Sequence, residues 1–414
     1  MKYYKLQNLC VDIIDCPHST PEWKKEGVRV VRNFNLKNGN IDFSDGYYVD
    51  EETYLNRIKR AIPEAGDIII SREAPMGVVG IVPENLKCCL GQRLVLLKVD
   101  KSKCNPFYLL FMLMSNFVQT QFKRADATGS IVSNLCIPDL KEIIIPMVDN
   151  GQENIAKLLE AINNKMLINN KINDNLEQQA KLLYDYWFSQ FDFPDKNGKP
   201  YCSAGGKMVW NEQLKRNIPE NWKVVPLSTV LNFKSGFSFS SDLYVTEGKY
   251  KLLTIKNVQD SGINLNVDNY INDVPSNVPD YCFLKVNDIL MSLTGNVGRI
   301  GIMYDSGCLL NQRVALAKSV NEDLHSFVYF LLKSDIVRKQ YETIANGSSQ
   351  KNLSPVESEN ILIAYNEQIA IHFASVTNKH LKIIVSNLAE NENLIHLRDW
   401  LLPMLMNGQA TISD

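Results

Sequence analysis

The sequence lacks most of what marks an enzyme or a membrane protein. There is no G-x-x-x-x-G-K-[ST], which excludes a P-loop nucleotide site. No strand-like run leads into G-x-G-x-x-G, so no dinucleotide or S-adenosylmethionine cradle is visible. No serine–histidine–aspartate set stands out. The nine cysteines form no C-x-x-C pair, Cys88 and Cys89 are chain neighbours, and the five histidines are scattered, so zinc spacing is absent. No apolar run approaches the roughly 18 residues of a membrane span. The opening MKYYKLQNLCVDII has neither an apolar signal core nor an A-x-A site. These absences predict a reduced, cytoplasmic protein with buried thiols, no metal and no membrane contact.

Charge imbalance is also small. The chain has 44 basic and 46 acidic residues, a net charge of −2. Any contact with DNA must then come from one-sided patches, or partners must supply much of the phosphate binding. A hydrophobic content of 45% and 414 residues describe a globular protein too long for one ordinary domain.

A long helix organises the chain. Residues 152–189 contain neither proline nor glycine. Written as a heptad, position a holds Ile155, Ile162, Asn169, Leu176 and Leu183, and Trp187 closes the stripe. One buried asparagine at an a position costs stability but fixes register. The stripe is narrow and calls for a partner helix, although an ordinary long surface helix has a similar look. Residues 366–408 offer the partner. At an offset of 214, Ile155-Ala156 falls on Ile369-Ala370, Asn164-Lys165 on Asn378-Lys379 and Asp185 on Asp399. Its seam is expected along Ile369, Val376, Ile383, Leu397 and Trp400, and antiparallel packing would bring Asn169 near Ile383.

The globular parts repeat as well. Asp67–Val82 aligned with Asp288–Met303 gives six identities in sixteen positions, Ser71/Ser292 and Gly77/Gly298 among them. Gly91-Gln92-Arg93 then meets Asn311-Gln312-Arg313, and Thr128-Gly129-Ser130 meets Asn346-Gly347-Ser348. An ordered repeat of half a chain fixes the architecture. The expected class is α+β. Two β-rich units, residues 1–151 and 218–365, are each followed by a long helix, and the two helices pack as an antiparallel coiled coil. Residues 190–217, with two prolines and three glycines in FDFPDKNGKPYCSAGGKMVW, are expected to be an exposed connector. Each unit has one clear helix. The first starts at Asn105 as N-cap with Pro106 in the first turn; the second starts at Ser326.

Asn105-Pro106-Phe107-Tyr108 resembles the N-P-P-Y loop of adenine methyltransferases. The second proline is missing and the repeat has His325-Ser326-Phe327-Val328 there, so a capped helix start explains these residues better.

What remains is binding. SREAPMG at Ser71–Gly77 and SLTGNVGR at Ser292–Arg299 place small residues beside the polar Arg72, Asn296 and Arg299. Glycine lets backbone approach a ligand closely, and backbone N–H groups bind phosphate. Gln92, Arg93, Gln312 and Arg313 are of the types that pair bidentately with adenine and guanine edges; they would equally satisfy strand-end backbone groups. Lys123-Arg124 closes one helix, where basic residues suit the C-terminus as well as DNA. Ser130, Ser348 and Lys351 sit in segments that either hold phosphate or turn the chain, and Lys256 completes the candidate contacts.

The ordered duplication resembles the specificity subunit of type I restriction–modification enzymes. NDILMSLTGNVGRIGIM with LNQRVAL, their weaker copies in the first half, and the QENIA…LLYDYWF helix carry the resemblance, which spans essentially the whole chain. It implies a non-catalytic subunit of a phage-defence complex. Each globular unit would be a target recognition domain reading half of a bipartite double-stranded DNA site. The long helices would act as spacer and as dock for two methyltransferase subunits, joined by restriction subunits. S-adenosylmethionine, ATP and Mg2+ would then belong to the partners. The first half departs from the pattern at Ala74-Pro75, where the second has Gly295-Asn296, so the half-sites should differ. Two other classes stay open: a coiled-coil scaffold with protein-binding ends, and a methyltransferase with a degenerate motif.

Overall fold

The structure is a computed structural model that describes residues 1–43, 46–73, 75–126, 134–148, 151–345, 351–406 and 409–410. Contacts divide the chain into Met1–Leu167 with Glu392–Asp414, and Ile168–Asn391. Each unit includes a stretch of both long helices, so the divisions fall inside helices rather than at 151 and 365.

In the second unit a four-stranded antiparallel sheet runs in the order Leu231–Ser235, Val314–Ser319, Ile289–Ser292, Ile300–Ile302. Ile289–Ser292 is buried at every position, which explains a continuous apolar run in place of alternation. A second sheet contains a parallel pair, Tyr250–Leu253 with Cys308–Leu310. Lys223–Pro226 pairs with Leu362–Tyr365 and ties the start of the unit to its end.

The first unit repeats this plan. Its antiparallel sheet runs Cys10–Asp15, Leu94–Val99, Ile68–Ser71, Val79–Ile81. Val28–Val31 lies parallel to Cys88–Leu90, and Lys2–Lys5 pairs with Ile144–Met147. Both units therefore mix helix and sheet in one topology, as the sequence repeat requires.

The Asn105 cap is present: its side-chain oxygen accepts from the N–H of Phe107 at 2.9 Å and of Tyr108 at 3.3 Å. The helix it starts ends at Met114, and a new one spans Asn116–Asp126. The second unit breaks its helix likewise, into His325–Leu332 and Asp335–Ile344. A serine sits at each break. Ser115 is extended and donates its hydroxyl to the Met112 carbonyl at 2.6 Å, while Ser334 caps the following helix through the Val337 N–H. Ser326 is not the start of its helix; it is buried in the first turn and donates to the Ala374 carbonyl at 3.1 Å.

The central helix spans Gln152–Tyr184 and continues as one π turn, Asp185–Ser189. In the first unit its Ile155, Ala156 and Leu159 join a core that includes Leu402 and Leu405. In the second unit Trp187 and Phe188 pack on Phe373, with ring centroids 5.9 and 5.5 Å apart. The C-terminal helix spans Glu367–Met406. Its buried face differs from the expected one by a single position. Ala370, Phe373, Thr377, Leu381 and Ile384 are buried, whereas Val376, Ile383, Leu397 and Trp400 are exposed. Small and polar residues form much of this seam, so hydropathy alone points to the wrong face. Asn169 accordingly meets Asn391 rather than Ile383.

Residues 190–217 also differ from expectation. Phe191 and Phe193 are buried against Trp222, the Asp192 carboxylate takes the Ser203 N–H at 2.7 Å, and Met208–Asn211 pairs with Arg216–Pro219. All nine cysteines are free; seven are buried, Cys202 is half-buried and Cys136 is exposed. Burial pushes the Cys88 thiol up to about 12. Among the described residues, no helix is long and apolar enough to cross a membrane, and no group of three or more metal-ligating side chains occurs.

Candidate nucleic-acid interface

The repeated serine–glycine loops prove to be one hairpin built twice. Ser292 donates from Oγ to the Asn296 carbonyl at 2.6 Å and accepts the Arg299 N–H at 3.0 Å. The Gly298 N–H reaches the Ser292 carbonyl at 2.9 Å. In the first unit Ser71 Oγ donates to the Pro75 carbonyl at 2.6 Å and accepts the Val78 N–H at 2.9 Å, and the Gly77 N–H reaches the Ser71 carbonyl at 2.8 Å. Gly77 and Gly298 sit at φ +78° and +74°, each over an aromatic ring. A Cβ on either would come within 2.9 Å of Phe122 or Tyr341, so only glycine fits. Much of the repeat signature is thus scaffold.

What the scaffold presents differs between units. In the second, the hairpin, the Asp335–Ile344 helix and Lys351 line a cavity of about 320 Å³. Arg299, Lys333, Arg338 and Lys351 face it together with Asp260 and Glu342. Asp260 holds the Arg299 Nη2 at 2.7 Å and the Arg338 Nη2 at 3.7 Å. With its carboxamide oxygen turned to the guanidinium, Asn296 accepts from Arg299 at 2.9 and 3.1 Å. Lys333 donates to Glu177 at 2.7 Å and to the Tyr329 hydroxyl at 3.2 Å. Burial alone would lower the Lys333 ammonium, but Tyr329 and Glu177 outweigh it and hold it above its usual range. The cavity is cationic at its wall and can take an anionic group.

The structure brings together Asn296, Arg299 and Lys351 of the expected residues. Gln312 and Arg313 are exposed, and the Arg313 carbonyl accepts the Leu293 N–H at 3.0 Å. In the first unit Arg72 is largely committed to the fold, with Nε on the Leu135 carbonyl at 3.0 Å and Nη1 on Asp15 at 3.0 Å. Arg93 adopts φ +65° and pairs with Glu73 at 3.2 Å, and the Gln92 carboxamide donates to the His18 carbonyl. Lys123 and Arg124 are exposed in the last turn of Asn116–Asp126, and Lys256 pairs with Asp268 at 2.7 Å. Ser130 and Ser348 lie outside the described residues.

Sequence reasoning did not connect Arg338 and Asp260 with this cavity. Arg338 was legible only as a basic helix end, and Asp260 had no repeat partner of its type to mark it. It also missed two matching asparagines, Asn35 and Asn257, because the duplication is weak around them.

Comparisons with known proteins bear on this geometry. A family model described as type I restriction modification DNA specificity domain matches residues 14–178 and 219–392. The type I restriction enzyme MjaIX specificity subunit of Methanocaldococcus jannaschii is 24% identical over 383 residues, 88% of this chain and 85% of that protein. The HindI specificity subunit of Haemophilus influenzae is 22% identical over 412 residues, covering 85% and 88%. The crystal structure of a type I restriction–modification S subunit from M. genitalium shares the fold, with a TM-score of 0.50 at 17% identity over 97% of this chain and 94% of that one.

Proposed function

The chain belongs to the type I restriction–modification DNA specificity family, and on that premise we propose that each unit reads one half of a bipartite duplex target. The observation that carries this reading is the twice-built hairpin: one set of serine and glycine hydrogen bonds supports Arg299 and Asn296 in one unit and different residues in the other. A fixed frame with divergent presented side chains suits two readers of different half-sites.

The remaining parts follow from the same reading. The two long helices act as a spacer, packed as an antiparallel coiled coil; inside the second unit, partner numbers fall as the first helix's rise, from Asn169 with Asn391 to Asn173 with Asn387. Val376 and Ile383 in the second unit, and Leu397 and Trp400 in the first, are exposed apolar side chains, and each pair offers surface to one of two methyltransferase subunits. Methyl transfer and base flipping then belong to those subunits with their S-adenosylmethionine. ATP and Mg2+ belong to restriction subunits. The test is methyl incorporation into duplex DNA. The isolated chain transfers none, and adding the methyltransferase subunit yields methylation at one bipartite motif; methylation by the chain alone would overturn the assignment.

A further inference from the structure

Each unit contains a short turn, the last residue of which is a buried asparagine. In the first unit Asn33–Asn35 follows the strand Val28–Val31; in the second Ile255–Asn257 follows Tyr250–Leu253. Asn35 accepts the Arg32 N–H at 2.9 Å and donates to the Asp42 carbonyl at 2.7 Å. Asn257 accepts the Thr254 N–H at 2.9 Å and donates to the Asn264 carbonyl at 2.9 Å. The two residues are 2% and 4% exposed, so the asparagines are fasteners and present nothing to a ligand. They satisfy the backbone of the turn and leave its other side chains free to vary.

Those side chains do vary. Arg32 and Phe34 occupy the places of Thr254 and Lys256. The Arg32 guanidinium lies over three rings, 4.5 Å from the centroid of Tyr47, 4.7 Å from Phe34 and 5.4 Å from Trp23. Among the described residues it makes no hydrogen bond or ion pair. Phe34 is 36% exposed. The Lys256 side chain is 77% exposed, and its ammonium meets Asp268 at 2.7 Å. A packing role would not require a planar cation on an aromatic platform in one copy and an exposed, ion-paired lysine in the other.

The turns also adjoin the segments already chosen for base contact. The Gly91 N–H, one residue before Gln92-Arg93, donates to the Val31 carbonyl at 2.7 Å, and a Cβ there would come within 3.1 Å of the Arg32 side chain. The Asn311 N–H, one residue before Gln312-Arg313, donates to the Leu253 carbonyl at 3.1 Å. One backbone bond in each unit therefore couples turn and candidate reader.

We propose that these turns are specificity elements, with Arg32 and Phe34 reading in the first unit and Lys256 in the second, where the Thr254 hydroxyl instead donates to the Asn257 fastener at 3.0 Å. The proposal rests on the half-site reading above. A guanidinium held among three rings has lost much of its side-chain freedom before it meets a ligand, which pre-organises its planar fork of donors. That fork matches O6 and N7 of guanine, and an exposed lysine can reach the same two acceptors.

The probe is a duplex library with randomised positions, bound by the full-length chain together with its methyltransferase subunits. The wild type enriches a bipartite motif. Arg32→Ala relaxes a guanine in one half-site by roughly 5- to 150-fold, the discrimination of one bidentate contact, and leaves the other half-site intact. Lys256→Ala does the same in the other half-site only. Arg32→Gln keeps a planar amide on the rings and moves the relaxed position from guanine toward adenine, which decides the matter if the alanine variant folds poorly. An unchanged motif in Arg32→Gln and Lys256→Ala, or an equal loss across all sequences, would show that the turns only pack or only touch phosphate. Failure of the wild type to enrich any bipartite motif would instead overturn the half-site reading itself, and this proposal with it.

Discussion

Asn169 donates from its carboxamide nitrogen to the Asn391 carboxamide oxygen at 2.9 Å, and both side chains are buried. Asn391 in turn donates to Asn170 at 2.8 Å, and Asn387 to Asn173 at 2.8 Å. This asparagine layer is the most polar stretch of a seam in which small and polar side chains are already common. Its stabilising contribution is small, but a shift of either helix by one position would leave its amides without partners.

Replacing Asn169 by leucine removes one partner of a buried pair and lowers stability by about 1–3 kcal/mol. The double variant Asn169→Leu/Asn391→Leu recovers most of that loss. Thermal and urea unfolding of the four proteins in this cycle measure the coupling; strictly additive losses would mean the amides do not act as a pair.

Tyr341 offers a cleaner test of the duplicated scaffold. Its hydroxyl is buried and finds no partner among the described residues, and the first unit has Phe122 in the matching place. Tyr341→Phe is therefore expected to raise stability by about 1 kcal/mol. Gly298→Ala works in the opposite direction, by about 1–3 kcal/mol, because φ is +74° and the ring lies beneath. Urea midpoints of both variants check the pair; a destabilised Tyr341→Phe would mean that the hydroxyl is partnered and would contradict the expectation.

These residues also show how far sequence reading reaches. The duplication, the Asn105 cap and the central helix were legible because each depends on local chemistry: glycines at φ above zero, a side-chain acceptor, a proline-free heptad. The C-terminal seam was not legible, since Ala370, Thr377 and Asn391 line it while Val376 and Ile383 face outward. Ser115 and Ser334 were visible, but only tertiary packing decides whether a serine inside a helical pattern breaks it. Site residues were half legible. Arg299 and Lys351 share a cavity, whereas Arg72, an equally good candidate by type, spends its donors on Asp15 and Leu135.

Arg338 lies at that cavity with a side chain 60% exposed, between Asp260 and Glu342 at 3.7 Å each. If it neutralises one phosphate, Arg338→Ala reduces the slope of log affinity against log salt by about 1, with the preferred sequence unchanged. Titrations at several salt concentrations supply the slope. An unaltered slope would remove Arg338 from the interface.

His325 supplies a pH dependence. Burial lowers its imidazole below the ordinary 6.5, against a weaker upward pull from a backbone hydrogen bond at Asn287, and Nε2 has no partner among the described residues. A folded value below the unfolded one means that the unfolded chain binds the proton first. Stability from this site is thus complete above 6.5 and declines as pH falls from there toward the folded value. His325→Asn should flatten that part of the stability profile relative to wild type. Parallel profiles for the two proteins would contradict it.

The central claim is that two units read two half-sites independently. The most direct measurement is to replace residues 1–151 with the equivalent unit of a relative of different specificity and determine the methylated motif of the assembled complex. The account predicts that one half-site changes to that of the donor while the other half-site and the gap between them are retained. A motif altered in both halves would contradict it.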